Sequence, residues 1–490
     1  MTDELTRLAN GVLWPGFLGT EAPGWLLAEL RRGLAGAVCF GQNVSERLPE
    51  LSAALHEANP AALIGIDEEG GSVTRLESVA GSTLPGAWQL GSVDDVDASR
   101  ATGAELARRA RAAGIDVVLG PVADVNTDPR NPVIGVRSFG SDAGLVSRHV
   151  AATVEGLQGG GVAACVKHFP GHGDTHLDSH HALPVIALDP AEIEAVHLEP
   201  FRTAIAAGVD AVMTAHIVVP AWGEQPATLN PRILGMLREL GFDGVIVTDA
   251  LDMAAVRETV GIGGGAVQAL AAGADLLCIG NPTNPGDAAH PDQDERDFLT
   301  AREAIVAALR AGSLPLERVA EARDRVLALA AKLAAAAPPA RGVPYDAGAI
   351  VRRALRTIGE TDAAASALAL VDARRRSTLA VDSAADHVAT GLAGDGFRVR
   401  LDVAVATDAE QDAALDAAGA APGRLVLLVD APETEPAQRT LVDRAAARAP
   451  GAVVVNTGLP VRGGLPLPLI DAGAASRIAA EVVRDLLLGP

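Results

Sequence analysis

From residue 10 to about 336, short apolar runs rich in β-branched residues alternate with longer stretches in which Ala, Leu and Val recur among Arg, Glu and Asp. The apolar runs are Val12–Phe17, Ala37–Phe40, Leu63–Asp67, Asp116–Gly120, Val162–His168, Ala211–His216, Gly244–Thr248 and Asp275–Ile279. Their interiors are almost wholly apolar, as expected of parallel strands buried on both faces. Helical periodicity is clearest over Ala98–Ala113, Asp142–Leu157, Pro190–Ala207 and Leu316–Ala336. Eight strands with helices between them predict a (β/α)8 barrel of the TIM type over residues 1–336. Residues 337–345, APPARGVPY, break the pattern and predict a linker. Over 346–490 the alternation resumes on a smaller scale. Ala367–Val371, Thr378–Val381, Arg398–Leu401, Leu425–Val429 and Val453–Asn456 read there as five parallel strands of a doubly wound α/β sandwich. That second domain shows no polar cluster resembling a site and reads as a packing or assembly unit. The GIGGG run at 261–265 lacks the strand-to-helix setting of a nucleotide fingerprint and predicts a loop ahead of a helix starting at Ala266.

The chain has 490 residues, 49% of them hydrophobic, enough for two large cores, and no apolar stretch of membrane-spanning length free of charge. The N-terminus carries acid early and lacks the basic and apolar regions of a secretory signal, so a cytoplasmic protein is expected. A net charge of −22, with acids spread along the chain, disfavours nucleic-acid partners. Cys39, Cys165 and Cys278 each lie within an apolar run and read as small core residues, not disulfide partners or metal ligands. With 3% aromatic residues, a small ligand fits the chain better than a polymer.

Chemistry concentrates between residues 162 and 184, VAACVKHFPGHGDTHLDSHHALP, which holds five of the eleven histidines. His168, His172, His176 and His180 are spaced by four, but Pro170, Gly171 and Gly173 oppose a helix, so the cluster predicts a loop at a strand's C-terminal end. Ionisable residues recur at the same end of other strands: Asp67 and Arg75, Asp124 and Arg137, Lys167 and His168, His216, and Asp249. In a barrel they would converge over one pocket. Two chemistries suit the set. One is a metal-dependent hydrolase with His168, His216 and Asp249 as ligands. The first strand offers it no ligand, and Arg75, Arg137 and Lys167 would sit beside the cation. The other is glycosyl transfer through a covalent intermediate, with Asp249 as the strand-borne nucleophile. Asp174-Thr175-His176 would then be a loop-borne proton donor whose carboxylate orients the imidazole. Lys167, Arg75, Arg137 and Asp67 would grip hydroxyls and an acyl group.

The segments IDEEGGSVTR (66–75), IGVRSFG (134–140), KHFPGHGDTHLDSHHALP (167–184), MTAHI (213–217) and VTDALDM (247–253) resemble, in order and spacing, the β-N-acetylglucosaminidase branch of family-3 glycoside hydrolases. The resemblance spans residues 10–336; the second domain is similar only in layout. It implies Asp249 as nucleophile and His176, paired with Asp174, as acid/base. It also implies Asp67, Arg75, Arg137, Lys167 and His168 around the N-acetylglucosamine ring and acetamido group, with His216 lining the same pocket. His172, His180 and His181 would shape the loop. Ser72, where many members carry Arg, and Glu68, in place of the usual Gln, depart from the pattern at subsite positions.

The resemblance therefore implies a retaining exo-β-N-acetylglucosaminidase that needs no metal or cofactor and releases terminal N-acetylglucosamine from muropeptides or chito-oligosaccharides. Peptidoglycan recycling is the setting it points to. Some members with the His/Asp dyad use phosphate as the acceptor. A histidine acid/base does not repel the dianion as a carboxylate would, so a phosphorylase releasing sugar 1-phosphate stays open. A sugar-binding barrel without catalysis would require Asp249 and His176 to be absent.

Overall fold

The computed structural model describes residues 2–175, 183–336, 345–361, 365–375 and 387–489. The chain forms two compact units. The first comprises Met1–Glu69, Ser99–Ile134 and Ser141–Val343, the second Gly70–Ala98, Gly135–Gly140 and Pro344–Pro490. Two segments inside the expected barrel domain, one after the third strand and one after the fourth, thus fall with the second unit. The expected linker lies, except for Tyr345, outside the described residues.

The first unit is the expected parallel barrel. Its strands are β1 (Leu13–Pro15), β2 (Gly36–Cys39), β3 (Leu63–Ile66), β4 (Val117–Val118), β5 (Ala163–Phe169), β6 (Ala211–Thr214), β7 (Val245–Val247) and β8 (Leu277–Gly280). Strands β2 to β7 pair in sequence order and β1 pairs with β8. Single parallel bridges, Gly16 to Val38 and Val247 to Leu276, close the ring. Because side chains alternate across a strand, one residue in two faces the axis. Trp14, Val38, Leu63, Val117, Leu119, Ala163, Cys165, Ala211, Met213, Val245, Val247, Leu276 and Cys278 form that buried cluster, with Val326 and Leu329 of the helix Leu316–Ala334 packed on it. Gly65 carries no side chain because the Trp14 ring fills its place: a Cβ there would stand 2.3 Å from Trp14 Cζ2.

Two of the barrel's details differ from expectation. The helix expected over Pro190–Ala207 is broken into Pro190–Glu192, a wide turn Ile193–His197 and Glu199–Ala206. The predicted 261–265 loop is instead helical, the first turn of Gly261–Ala272. Its glycines are needed for packing. A Cβ on Gly265 would meet Val256 Cγ1 at 2.6 Å, and one on Gly263 would meet Ala304 Cβ, on the helix Gln293–Ala311, at 3.0 Å. The close approach compensates for the poor helix propensity of glycine. At the N-terminal end of β8, buried Asp275 accepts hydrogen bonds from Arg238, Arg318 and Arg325 at 2.5, 2.6 and 3.3 Å and from the Ile246 amide at 3.0 Å.

The second unit holds a six-stranded sheet of β9 (Arg356–Ile358), β10 (Leu368–Asp372), β11 (Arg398–Arg400), β12 (Arg424–Val429), β13 (Val453–Asn456) and β14 (Leu469–Asp471). The order is β11-β10-β12-β13-β14-β9, parallel except for antiparallel β9. Alternating residues feed two cores, one on each face. Leu368, Leu370, Val426, Leu428, Val453 and Val455 lie in one, and Ala369, Val371, Leu425, Leu427, Val429 and Val454 in the other. This is the doubly wound arrangement expected. Of the five predicted strands, Thr378–Val381 lies outside the described residues. The fifth parallel strand is β14, hidden in the proline-rich LPLPLID.

In doubly wound folds ligands commonly bind where the strand order reverses, here between β10 and β12. Gln438 occupies that crevice. Its amide nitrogen donates to Ala373 O at 3.1 Å and Asp430 Oδ1 at 2.6 Å, and its oxygen accepts from the Ala431 amide at 2.9 Å. Segment 70–98 is tied into the unit by Gln89 Nε2 donating to Ala472 O at 2.7 Å, and by the Ala475 amide donating to Ser72 Oγ at 2.9 Å. Ser72, where the family pattern has Arg, thus has a structural partner. The three cysteines are unpaired and buried, and burial pushes the Cys39 thiol up to about 12. No described helix is long and apolar enough to cross a membrane.

Candidate active site

The alternation that fills the barrel interior also aims the site. Leu63–Gly65–Asp67, Ala163–Cys165–Lys167 and Val245–Val247–Asp249 are rows of every second residue, each starting in the buried cluster and ending in a charged group. The inner thiol of Cys165 feels all three: burial raises its pKa first, Lys167 opposes, and Asp67 and Asp249 add to the rise. Asp67, Lys167 and Asp249 therefore converge above one point of the interior.

Lys167 is held hard. Its ammonium bonds Asp67 Oδ1 at 2.6 Å and Glu69 Oε1 at 2.8 Å, with the lysine side chain 3% exposed and Asp67 22%. Both carboxylates offset the cost of burying the cation. Asp67 remains open enough to reach a ligand.

His168 and His172 are organised by Asp124, which is fully buried. Asp124 accepts from His168 Nδ1 at 2.8 Å, from the His168 amide at 3.3 Å and from the His172 amide at 2.6 Å. A carboxylate only accepts, so the His168 proton sits on Nδ1, and Nε2 is the ring atom left for another partner. Burial opposes ionisation of Asp124. The charge and hydrogen bond of His168 outweigh it, with His172 adding to them, and hold the carboxyl below the usual range. His172 goes the other way. Burial drives it down to about 4, against the pull of Asp124, so the ring is neutral near pH 7. Its Nδ1 pairs with Thr175 Oγ1 at 2.9 Å, while Asn131 Nδ2 donates to His172 O at 2.8 Å. The same Asn131 caps its own turn by accepting from the Val133 and Ile134 amides.

Asp174 begins the loop's second half, and its Oδ1 accepts from Thr127 Oγ1 at 2.8 Å. His176, together with Asp178, His180 and His181, lies outside the described residues. His216 is fully buried, Nδ1 against Thr228 Oγ1 and Nε2 against Ala250 O, each at 2.9 Å. With both nitrogens engaged, it offers no lone pair to a cation in this arrangement. Among the described residues no group of three or more His, Cys, Asp or Glu is placed to hold a metal ion. Asp249 is half-buried, and its Oδ1 accepts from the following amide, Ala250, at 2.8 Å.

Arg75 and Arg137 belong to the second unit, Arg137 closing the short turn Gly135–Arg137. There the loop after Arg75 is braced by Glu77, which accepts from the Thr83 amide and hydroxyl at 2.8 and 2.7 Å.

The sequence places Asp124 at a strand end without marking a role for it, and nothing in the local pattern singles out Glu69, Thr127, Asn131 or Thr228. Asp124 shares its strand-end position with the others and was legible by that rule. The polar neutral residues carry no such signal. His197 was also missed. Buried behind Gly171, it has no hydrogen-bond partner for either ring nitrogen among the described residues, and burial lowers its pKa.

Residues 31–329 match the model of the glycosyl hydrolase family 3 N-terminal domain. A β-hexosaminidase of Stenotrophomonas maltophilia is 38% identical over 318 residues, spanning 61% of this chain and 91% of the relative. Among solved structures, a family 3 β-N-acetylglucosaminidase from Paenibacillus superposes with a TM-score of 0.84 at 32% identity, covering 99% of this chain and 96% of that one. A β-N-acetylhexosaminidase from Beutenbergia cavernae matches 67% of this chain and 98% of its own, with a TM-score of 0.58 at 25% identity. The chain belongs to glycosyl hydrolase family 3 and is a glycoside hydrolase.

Proposed function

We propose that the protein is a retaining exo-β-N-acetylglucosaminidase. Asp249 attacks the anomeric carbon to form a glycosyl-aspartate, and His176, oriented by Asp174, protonates the leaving oxygen and then activates water. Asp67, Lys167 and His168, with Arg75 and Arg137, bind the sugar ring and its acetamido group. The observation that supports this most is the convergence of Asp67, Lys167 and Asp249 over the barrel interior, in a chain whose relatives are named for β-N-acetylhexosaminide cleavage. Lys167, pinned by two carboxylates, is a preorganised donor for a sugar hydroxyl. In this reading the enzyme is cytoplasmic and its substrates are muropeptides of peptidoglycan recycling, with chito-oligosaccharides as the second class.

The test is turnover of p-nitrophenyl β-N-acetylglucosaminide, of N-acetylglucosaminyl-anhydro-N-acetylmuramic acid and of chitobiose, each with and without phosphate. Free N-acetylglucosamine at a rate indifferent to phosphate supports hydrolysis. A phosphate-dependent rate yielding N-acetylglucosamine 1-phosphate makes the enzyme a phosphorylase instead. Asp249→Ala is expected to lower kcat by a factor on the order of 10⁴ or more while the fold persists.

A further inference from the structure

His216 breaks the phase of the site. Met213 continues the inward row of β6, whereas His216 stands an odd number of residues beyond it, out of register with the row-ending pattern of Asp67, Lys167 and Asp249. Its ring is fully buried, and both nitrogens are bound to protein atoms. A carbonyl oxygen can only accept, so Nε2 carries the proton it gives to Ala250 O. In the neutral ring Nδ1 must then accept, and Thr228 Oγ1 at 2.9 Å is the hydroxyl within reach of it. Thr228 in turn stands 2.8 Å from Thr214 Oγ1, whose hydroxyl supplies a proton to it. Thr228 is fixed from the backbone as well, its amide donating to Ala215 O at 3.2 Å. The Thr228 hydroxyl also reaches Ala215 O at 3.0 Å, so its one proton is shared between that carbonyl and His216 Nδ1, and a connected polar network joins Thr214, Thr228 and His216 to the carbonyl of Ala250.

Ala250 is the residue after the nucleophile of the proposed mechanism. Its amide donates to Asp249 Oδ1 at 2.8 Å. One polar end of Ala250 therefore holds a carboxylate oxygen of Asp249, and the other is held by His216. We infer that His216 is a positioning residue: it fixes the backbone at Ala250, whose amide holds Asp249 Oδ1, and so sets the orientation of the Asp249 carboxylate. This assignment rests on the reading of Asp249 as nucleophile. It gives Thr228 the task of holding the His216 tautomer, and it replaces the sugar contact that the sequence suggested for His216.

The experiment uses the full chain and an aryl β-N-acetylglucosaminide, with Asp249→Ala, His216→Ala, His216→Gln and Thr228→Val. Misplacing a nucleophile by about 1 Å costs roughly a hundredfold. His216→Ala should therefore lose about that factor in kcat, with KM changed by less than about threefold, because ground-state sugar contacts are untouched. His216→Gln, which keeps an N–H near Nε2, should recover about tenfold of the loss, and Thr228→Val should lose about fivefold. Losses should be equal for aryl and alkyl aglycones, since nucleophile placement serves both. A KM raised tenfold at unchanged kcat would show a direct sugar contact and overturn the assignment, as would wild-type kcat in His216→Ala. If His216→Ala does not fold, wild-type kcat in both His216→Gln and Thr228→Val overturns it. Turnover retained by Asp249→Ala removes the nucleophile reading and this inference together; an inactive Asp249→Ala beside fully active His216 variants removes this inference alone.

Discussion

The buried, neutral His172 links the stability of the barrel to pH. Its pKa falls from 6.5 to about 4 because burial disfavours the cation more than Asp124 favours it. The unfolded chain, with an ordinary imidazole, then binds more protons than the native one between these two values. Stability from this group is full above pH 6.5 and is lost as pH falls toward 4. A shift of about 2.5 units corresponds to about 3 kcal/mol in total, of which about 2 kcal/mol disappears between pH 7 and pH 5. The perturbation is His172→Gln, which keeps a polar group beside Thr175 and removes the titration. Urea unfolding followed by tryptophan emission suits the assay, since Trp14, Trp25 and Trp222 lie in the barrel unit and only Trp88 in the other. Wild type should lose about 2 kcal/mol more than the variant between pH 7 and pH 5, whatever the variant costs at neutral pH. Parallel pH profiles for the two proteins would refute the argument, because His172 would then titrate alike in both states.

Asp275→Asn should destabilise the barrel by about 3–5 kcal/mol by leaving Arg238, Arg318 and Arg325 without their shared carboxylate. The KM of the folded variant should stay at the wild-type value, because Asp275 precedes β8 at the end opposite the site; denaturant midpoints and kinetics together check this. Asp124→Asn removes the charged acceptor of His168 Nδ1 and should cost about 2 kcal/mol, or about thirtyfold in kcat/KM. Thermal unfolding of the same variant shows whether the loss is local. Gly65→Ala should destabilise by about 1–3 kcal/mol, since the added methyl overlaps the Trp14 ring and the packed interior cannot give way; a changed Trp14 emission and a lower Tm are the readouts.

The barrel was legible because parallel strands buried on both faces must be apolar throughout, and because eight such runs alternate with helical periods. The charged residues ending those runs were legible for a related reason. A charge at the end of a buried strand is costly unless it is used or paired, and side-chain alternation carries Asp67, Lys167 and Asp249 inward in phase with Leu63, Ala163 and Val245. Chain-local pattern could not settle the partners. Asp124 meets His168 across 44 residues, and Thr228 reaches His216 from a separate turn, so only the tertiary structure fixes which proton sits on which nitrogen. The 261–265 glycines show the same division. Their intrinsic preference predicts a loop, and the need for a helix to approach Val256 and Ala304 overrides it. β14 was lost to its prolines, because backbone pairing along a sheet is decided by neighbours that lie far away in sequence. The sequence by itself determined the fold class, the strand ends and the ionisable groups placed there. The structure decided the hydrogen-bond partners, the protonation of the buried histidines and the separation of Arg75 and Arg137 into the second unit, since each depends on long-range contacts and desolvation that no local window contains.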